Sequence, residues 1–106
     1  MLCFKDESVN VVELNKYFQT ALLFNIPKGL KRLSYQISKN TLDVQAVFDY
    51  EPREFEIDCI HSTTSEVLGN YSDEFNSSVC AKIENELTKI TDLDNLVFAR
   101  YDADEY

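Results

Sequence analysis

The sequence has few of the residues that break, staple or anchor a chain. Its 106 residues include two glycines, two prolines and three cysteines. So little glycine and proline predicts long helices and strands rather than a loop-rich scaffold. An odd number of cysteines without paired spacing favours reduced thiols over a disulfide framework. Apolar runs such as 21–24 are too short to cross a bilayer, and the start MLCFKDE turns acidic too early for a signal peptide. We therefore expect a cytoplasmic protein.

Positive charge is scarce in the second half of the chain. Up to Arg53, seven lysines and arginines oppose six carboxylates, whereas from Glu54 onward three oppose thirteen, and the net charge is −9. This field repels nucleic acid and anionic lipid, and it speeds encounter with a basic partner. A basic protein is therefore the first partner to expect, with no direct binding to nucleic acid or membrane. Acidity of this kind also keeps small proteins soluble, whatever they bind.

The length and the apolar fraction predict one folded domain, 1–106. Apolar residues make up 44% of the chain, including seven phenylalanines and six tyrosines. That is enough to form a core, but the chain is too short for two cores.

The first half of the chain reads as a helix followed by a β-hairpin. Apolar residues recur at helical spacing over 11–22, with capping residues at 6–8, and Pro27 should end the helix near Asn25. Apolar and polar residues then alternate over 32–38 and 42–50. This period predicts an antiparallel hairpin whose apolar face meets the helix.

The second half reads as a helix followed by two strands. Residues 51–54 suit a helix start, and a stripe over 57–71 should face the core. Strands are expected over 79–84 and 96–101, and the connection between them could hold a helical turn. We predict an α+β two-layer sandwich of order α-β-β-α-β-β, with two helices on one face of a four-stranded, mainly antiparallel sheet. The other sheet face should be exposed, lined by Arg32, Ser34, Gln36, Asp43, Gln45, Val47 and Asp49.

No residue pattern points to catalysis. Cys59 and His61 match no zinc framework, and residues two apart on a helix point in different directions. Glu54 and Asp58 could ligate magnesium as helical neighbours, but no phosphate-binding loop accompanies them. We therefore expect no enzyme, no cofactor and no metal. The tail 102–106 is read either as a hydrated terminus or as an acidic arm for a basic cleft.

Several segments resemble small bacterial immunity proteins, the antidotes of contact-dependent growth inhibition and related polymorphic toxins. Residues 14–26 and 28–34 resemble the opening of these proteins. The segment VFDYEP at 47–52, which leads into a helix with SEVL at 65–68, is similar to their aromatic strand, acidic turn and following helix. The segment LVFARY at 96–101 looks like their last strand.

The resemblance implies a protein that binds and neutralises a cognate toxin domain. Such toxins are often nucleases, whose clefts must be basic to hold phosphates, so an acidic antidote can match them and exclude substrate. Phe55 would be the aromatic anchor of the contact, although it could instead pack under the Pro52 turn. The partner-binding residues expected on this turn and helix face are Asp49, Glu51, Glu54, Phe55, Asp58, Ser62 and Glu66.

Two other functions compete with this one. An acidic nucleic-acid mimic or adaptor would bind a basic protein through two rows of charge. A small metal-dependent enzyme would use Glu54, Asp58 and His61.

Overall fold

The computed structural model describes residues 11–23, 26–38, 41–71, 76–85 and 87–100. The α+β class and the predicted order of elements are confirmed. The strand bounds differ slightly, since the last two strands begin before the predicted residues 79 and 96. The elements are α1 (Val11–Leu22), β1 (Leu30–Ser38), β2 (Thr41–Phe48), α2 (Glu54–Leu68), β3 (Asn76–Ile83) and β4 (Asn95–Ala99).

Helix α1 places its predicted apolar stripe against the sheet. Leu14 and Phe18 are almost fully buried, whereas Val11, at the start of the stripe, is 43% exposed. Phe18 stacks on Tyr35 of β1 with ring centroids 4.9 Å apart, and the Tyr35 hydroxyl donates to Asn15 Oδ1 at 2.8 Å. The helix ends at Leu22, before the predicted Asn25. The predicted cap at 6–8 and Asn25 itself lie outside the described residues.

The sheet has the strand order β3-β2-β1-β4. Strand β1 pairs antiparallel with β2 and with β4, whereas β3 pairs parallel with β2. Because a parallel neighbour requires a crossover, α2 connects β2 to β3 across the sheet. Strands β2, β3 and β4 therefore run in the same direction, and their carboxyl ends meet the start of β1 at one end of the molecule.

Both helices pack on one face of this sheet. Their buried side chains join those of β1, β2 and β4 in a single core cluster, with Phe48, Tyr35 and Ile60 among its largest members, and the partly buried Val79 of β3 packs against it. Tyr17 and Tyr71 pack edge to face at 5.7 Å beside this cluster. The apolar face of the hairpin thus meets the helices, as its alternating pattern predicts.

The prediction of an exposed second sheet face is wrong. Ser34 and Val47 are fully buried there, and Gln45 is 5% exposed. The connection between β3 and β4 must cross from one sheet edge to the other, and its residues cover this face. The Gln45 amide donates to the Thr91 carbonyl at 2.9 Å, and the Leu93 N–H donates to Ser34 Oγ at 3.0 Å.

Only part of the predicted polar face is accessible. Arg32, Gln36 and Asp43 are half-buried, and Asp49 at the end of β2 is exposed. The described residues of the connection form an extended strap without a helical turn. Alternation along β1 and β2 separated the two faces of the sheet correctly. It carried no information on the strap, which lies far along the chain from these strands and covers one of the two faces.

Candidate functional site

The turn between β2 and α2 is fixed by one buried carboxylate. Glu56 is 1% exposed. Its Oε1 accepts the Arg53 backbone N–H at 3.0 Å, and its Oε2 accepts the Tyr50 hydroxyl at 2.9 Å and the Gly29 N–H at 3.2 Å. Hydrogen bonds, above all that from the Arg53 backbone, hold the pKa of Glu56 below its ordinary value. Glu56 thereby ties the start of α2 to the turn before β1.

Gly29 allows the close packing at this junction. A Cβ on Gly29 would collide with the Tyr50 ring and would lie 2.7 Å from its hydroxyl oxygen. Only a residue without a side chain lets Tyr50 cross this backbone and reach Glu56. The orientation of α2 against the sheet therefore depends on the Gly29, Tyr50 and Glu56 contacts together.

The outer face of α2 carries most of the predicted partner-binding residues. At about 100° per residue, they fall within one third of the helix circumference, opposite the buried Ile60 and Val67. Phe55 is 59% exposed, so it does not pack under the Pro52 turn, and the Arg53 guanidinium lies 5.6 Å from its ring centroid. The exposed residues of this acidic helix face, as we name it here, are Glu54, Phe55, Asp58, Ser62 and Glu66.

The other two predicted residues lie on the turn that precedes α2. Asp49 and Glu51 are both exposed. Asp49 forms an ion pair with Arg100, which follows β4 directly. The Asp49 Oδ2 accepts from Arg100 Nη2 at 2.6 Å. The charge of the turn before α2 is thus partly neutralised, whereas Glu54 and Asp58 on the acidic helix face form no ion pair with another described residue.

A second carboxylate that the sequence suggests is surface charge is also buried. Glu84 is 6% exposed and accepts from the Nη1 and Nη2 atoms of Arg32, at 2.8 and 2.9 Å. Lys31 Nζ lies 3.0 Å from it, and the Ile90 N–H donates to it at 2.9 Å. These partners, Arg32 first, hold the pKa of Glu84 well below its ordinary value.

Glu56 and Glu84 are the buried structural carboxylates that sequence reasoning missed. Glu56 had a detectable signal, since it stands three residues after the helix-capping position, where a glutamate folds back onto the backbone. Glu84 had none, because its partner Arg32 is distant in the chain. The negative surface charge is therefore less extensive than the sequence count indicates.

The metal-binding candidates are not assembled into a site. His61 is exposed and Cys59 is half-buried on α2. Among the residues that the structure describes, no three histidine, cysteine or acidic side chains are grouped so that they could hold a metal ion. Neither of the two described helices, α1 and α2, is long and apolar enough to cross a membrane. The acidic tail 102–106 lies outside the described residues.

Comparison with known protein families finds a model that matches nearly the whole chain. A family model described as MafI2 immunity protein matches residues 11–102. No curated protein matches the sequence. The matched residues include every described helix and strand, together with the acidic helix face.

Proposed function

The chain belongs to the MafI2 immunity protein family, and we propose that it binds a cognate toxin domain and neutralises it by occlusion, without chemistry of its own. In this proposal the partner is a basic toxin, a nuclease of a contact-dependent or related system. The encounter takes place in the cytosol of the cell that the protein protects.

The acidic helix face is the observation that carries this proposal. It combines exposed carboxylates with a largely exposed aromatic side chain on a rigid element. No lysine or arginine occurs within α2. Aromatic residues ringed by polar groups are typical of the few positions that dominate binding energy in protein interfaces.

The charge of this face supports a basic partner. A nuclease cleft must attract phosphate, so its potential is positive where substrate lies. Carboxylates of Glu54 and Asp58 would be attracted to the same cations, and the bulk of α2 would then exclude nucleic acid. The Phe55 ring would enter an apolar recess beside those cations.

The nucleic-acid mimic has less support. A duplex presents two rows of phosphates, and a mimic needs carboxylates in two rows. The acidic helix face presents a single row along α2, and the carboxylates of Glu56 and Glu84 are buried. The charge pattern therefore favours one shaped partner over a general DNA-binding surface.

The proposal is tested with the toxin domain encoded beside this protein. The wild-type chain should form a 1:1 complex and abolish toxin activity, measured by calorimetry and by nuclease assay. Reversing charge with Glu54→Lys and Asp58→Lys together should weaken affinity roughly a hundredfold, about 2.7 kcal/mol, because like charges then face each other.

Asp94→Lys provides the matched control, since Asp94 is exposed on the strap across the opposite sheet face. It should leave inhibition unchanged. If the toxin remains active and unbound in the presence of the wild-type chain, the proposed function is wrong. If Asp94→Lys weakens binding as much as the double variant, the acidic helix face is not the interface.

A further inference from the structure

The two edges of the sheet differ in how they are protected against pairing. Strand β4 is five residues long, and its pairing with β1 contains a register shift. Strand β3 is eight residues long, contains no proline, and pairs with β2 without a shift. Natural proteins usually shorten, bulge or charge an exposed edge. Strand β3 has only Lys82 for this purpose, and no described residue pairs with its outer side.

The hydrogen-bonding groups on the free edge of β3 can be identified. Beyond Ile83, the Glu84 N–H donates to the Phe48 carbonyl of β2 at 2.9 Å. Because N–H and C=O groups alternate in direction along a strand, the even-numbered residues of β3 bond to β2. The odd-numbered residues therefore direct their N–H and C=O groups outward, and these residues are Ser77, Val79, Ala81 and Ile83.

We propose that a second copy of this chain pairs antiparallel with β3, so that one sheet runs through both copies. The two-fold axis would be perpendicular to the sheet and would pass between the two Cys80 residues. This inference does not depend on the proposed toxin binding, because β3 is not part of the acidic helix face.

Geometry selects this register. The axis keeps the helices of both copies on the same side of the joined sheet. Each β3 residue whose side chain lies on the helix-covered side of the sheet must therefore pair with a residue of the second copy whose side chain lies on that same side. With Cys80 opposite Cys80 of the second copy, Val79 lies opposite Ala81 and Ser77 lies opposite Ile83. In this register, all outward N–H and C=O groups of the four odd-numbered residues bond to one another. A shift by two residues in either direction leaves some of them without a partner within the strand.

Charge favours a second copy over the toxin at this edge. Residues 76–83 contain no carboxylate, so β3 is a place where two copies of an acidic chain can approach. Lys82 would lie opposite Ser78 of the second copy. Within one chain, the Ser78 hydroxyl donates to Asp43 Oδ1 at 2.7 Å, so Asp43 of the second copy lies one strand further from Lys82. Two strand spacings, about 10 Å, would then separate the backbones of Lys82 and Asp43 of the other copy, within reach of an extended lysine.

The first test is sedimentation of the full chain over a dilution series. The wild type should be a dimer that dissociates on dilution, and Ala81→Pro should be a monomer. The outward Ala81 N–H makes no bond within the sheet, so proline there spares the monomer, and circular dichroism and thermal unfolding should show this. A wild type that is monomeric at every concentration would overturn the proposal, and so would a dimeric Ala81→Pro chain. The proposal is also overturned if the wild type is monomeric and Ala81→Pro loses toxin binding, because the edge of β3 would then contact the toxin.

The second test is disulfide cross-linking with diamide, which accepts the two thiol hydrogens and is reduced to the hydrazine. Residues opposite each other in a pair without mutual hydrogen bonds have Cα atoms about 4.5 Å apart, which suits a disulfide. A covalent dimer should form in Cys3→Ser, Cys59→Ser chains and should be absent when Cys80→Ser is added.

A register control separates pairing from random collision of exposed thiols. In chains with Cys3, Cys59 and Cys80 all replaced by serine, copies with Ser78→Cys should cross-link to copies with Lys82→Cys. Either copy by itself should remain monomeric on a non-reducing gel. Equal cross-linking in the mixed and the separate samples would contradict the register and overturn the proposal.

Discussion

At the residue scale, two glutamates that are two positions apart in sequence have opposite roles on α2. Glu54 points to solvent, whereas Glu56 is buried and accepts three hydrogen bonds from the junction around Gly29. The difference follows from helix geometry, since residues two apart lie about 200° from each other around the axis. One carboxylate thus provides surface charge, and the other fixes the helix that presents it.

Phe55 is the residue whose removal should separate binding from folding. Because its side chain is 59% exposed, Phe55→Ala should change the free energy of unfolding by no more than about 0.5 kcal/mol. It should weaken toxin binding by about 2 kcal/mol, roughly thirtyfold in Kd, as expected for an aromatic anchor. Calorimetry with the toxin domain and urea unfolding of the free chain measure the two effects.

Leu87→Ala is the control for this substitution. Leu87 is 96% exposed on the strap, so its removal deletes a comparable apolar surface on the opposite sheet face. Toxin affinity should remain unchanged in this variant. A Phe55→Ala chain that binds as tightly as the wild type would show that the ring is not an anchor.

At the scale of elements, the strap between β3 and β4 is held by a partly buried ion cluster. Arg32 on β1 bonds to Glu84 at the start of the strap, to the Ile90 carbonyl, and to Asp92 at 2.9 and 3.0 Å. One guanidinium therefore joins both ends of the segment that covers Ser34 and Val47. Planar, multidentate bonding of this kind needs arginine and is not reproduced by lysine.

Glu84 should make the stability of the fold sensitive to acid. Its pKa in the folded chain lies below the ordinary value of 4.5. The stabilisation is therefore complete above about pH 4.5 and is lost as pH falls toward the folded pKa. Glu84→Gln should lower the free energy of unfolding by about 2 to 3 kcal/mol at pH 7, because Arg32 then keeps only Asp92 as a charged partner and Lys31 loses its ion pair with Glu84.

The measurement is urea unfolding between pH 7 and pH 2. Compared with the wild type, Glu84→Gln should lose less stability on acidification, and Glu56 accounts for part of the slope that remains. Asp94→Asn, at an exposed position on the same strap, should follow the wild-type curve. Parallel curves for the wild type and Glu84→Gln would exclude Glu84 as a source of acid sensitivity.

At the scale of the whole molecule, charge has opposite consequences for the two proposed contacts. The chain carries a net charge of −9, so a basic toxin is attracted and a second copy is repelled. Salt screens both effects over a Debye length of about 10 Å at 0.1 M ionic strength. The same change of buffer should therefore weaken one contact and strengthen the other.

Raising sodium chloride should slow association with the toxin and tighten the dimer. Stopped-flow kinetics measure the first effect, and sedimentation equilibrium measures the second. If the rate of association with the toxin does not change with salt, the acidic helix face does not steer the encounter. A dimer that dissociates as salt rises would indicate that Lys82 and Asp43 contribute more than the general repulsion between copies.

The sequence by itself determined the elements and their faces. Helical spacing located α1 and α2, and alternation located the hairpin with Leu33 and Val44 on the core side. These signals are local, because the period of apolar residues follows from backbone geometry alone. The same helical spacing placed Asp58, Ser62 and Glu66 on one exposed stripe of α2.

Only the tertiary structure decided which surfaces are covered and which charges are available. The parallel placement of β3 requires a strap across the second sheet face, and this strap buries Ser34, Val47 and the ion pair of Arg32 with Glu84. Contacts between residues so distant in the chain leave no periodic trace in the sequence. The position of β3 at an edge of the described sheet likewise follows from strand order, which no local pattern specifies.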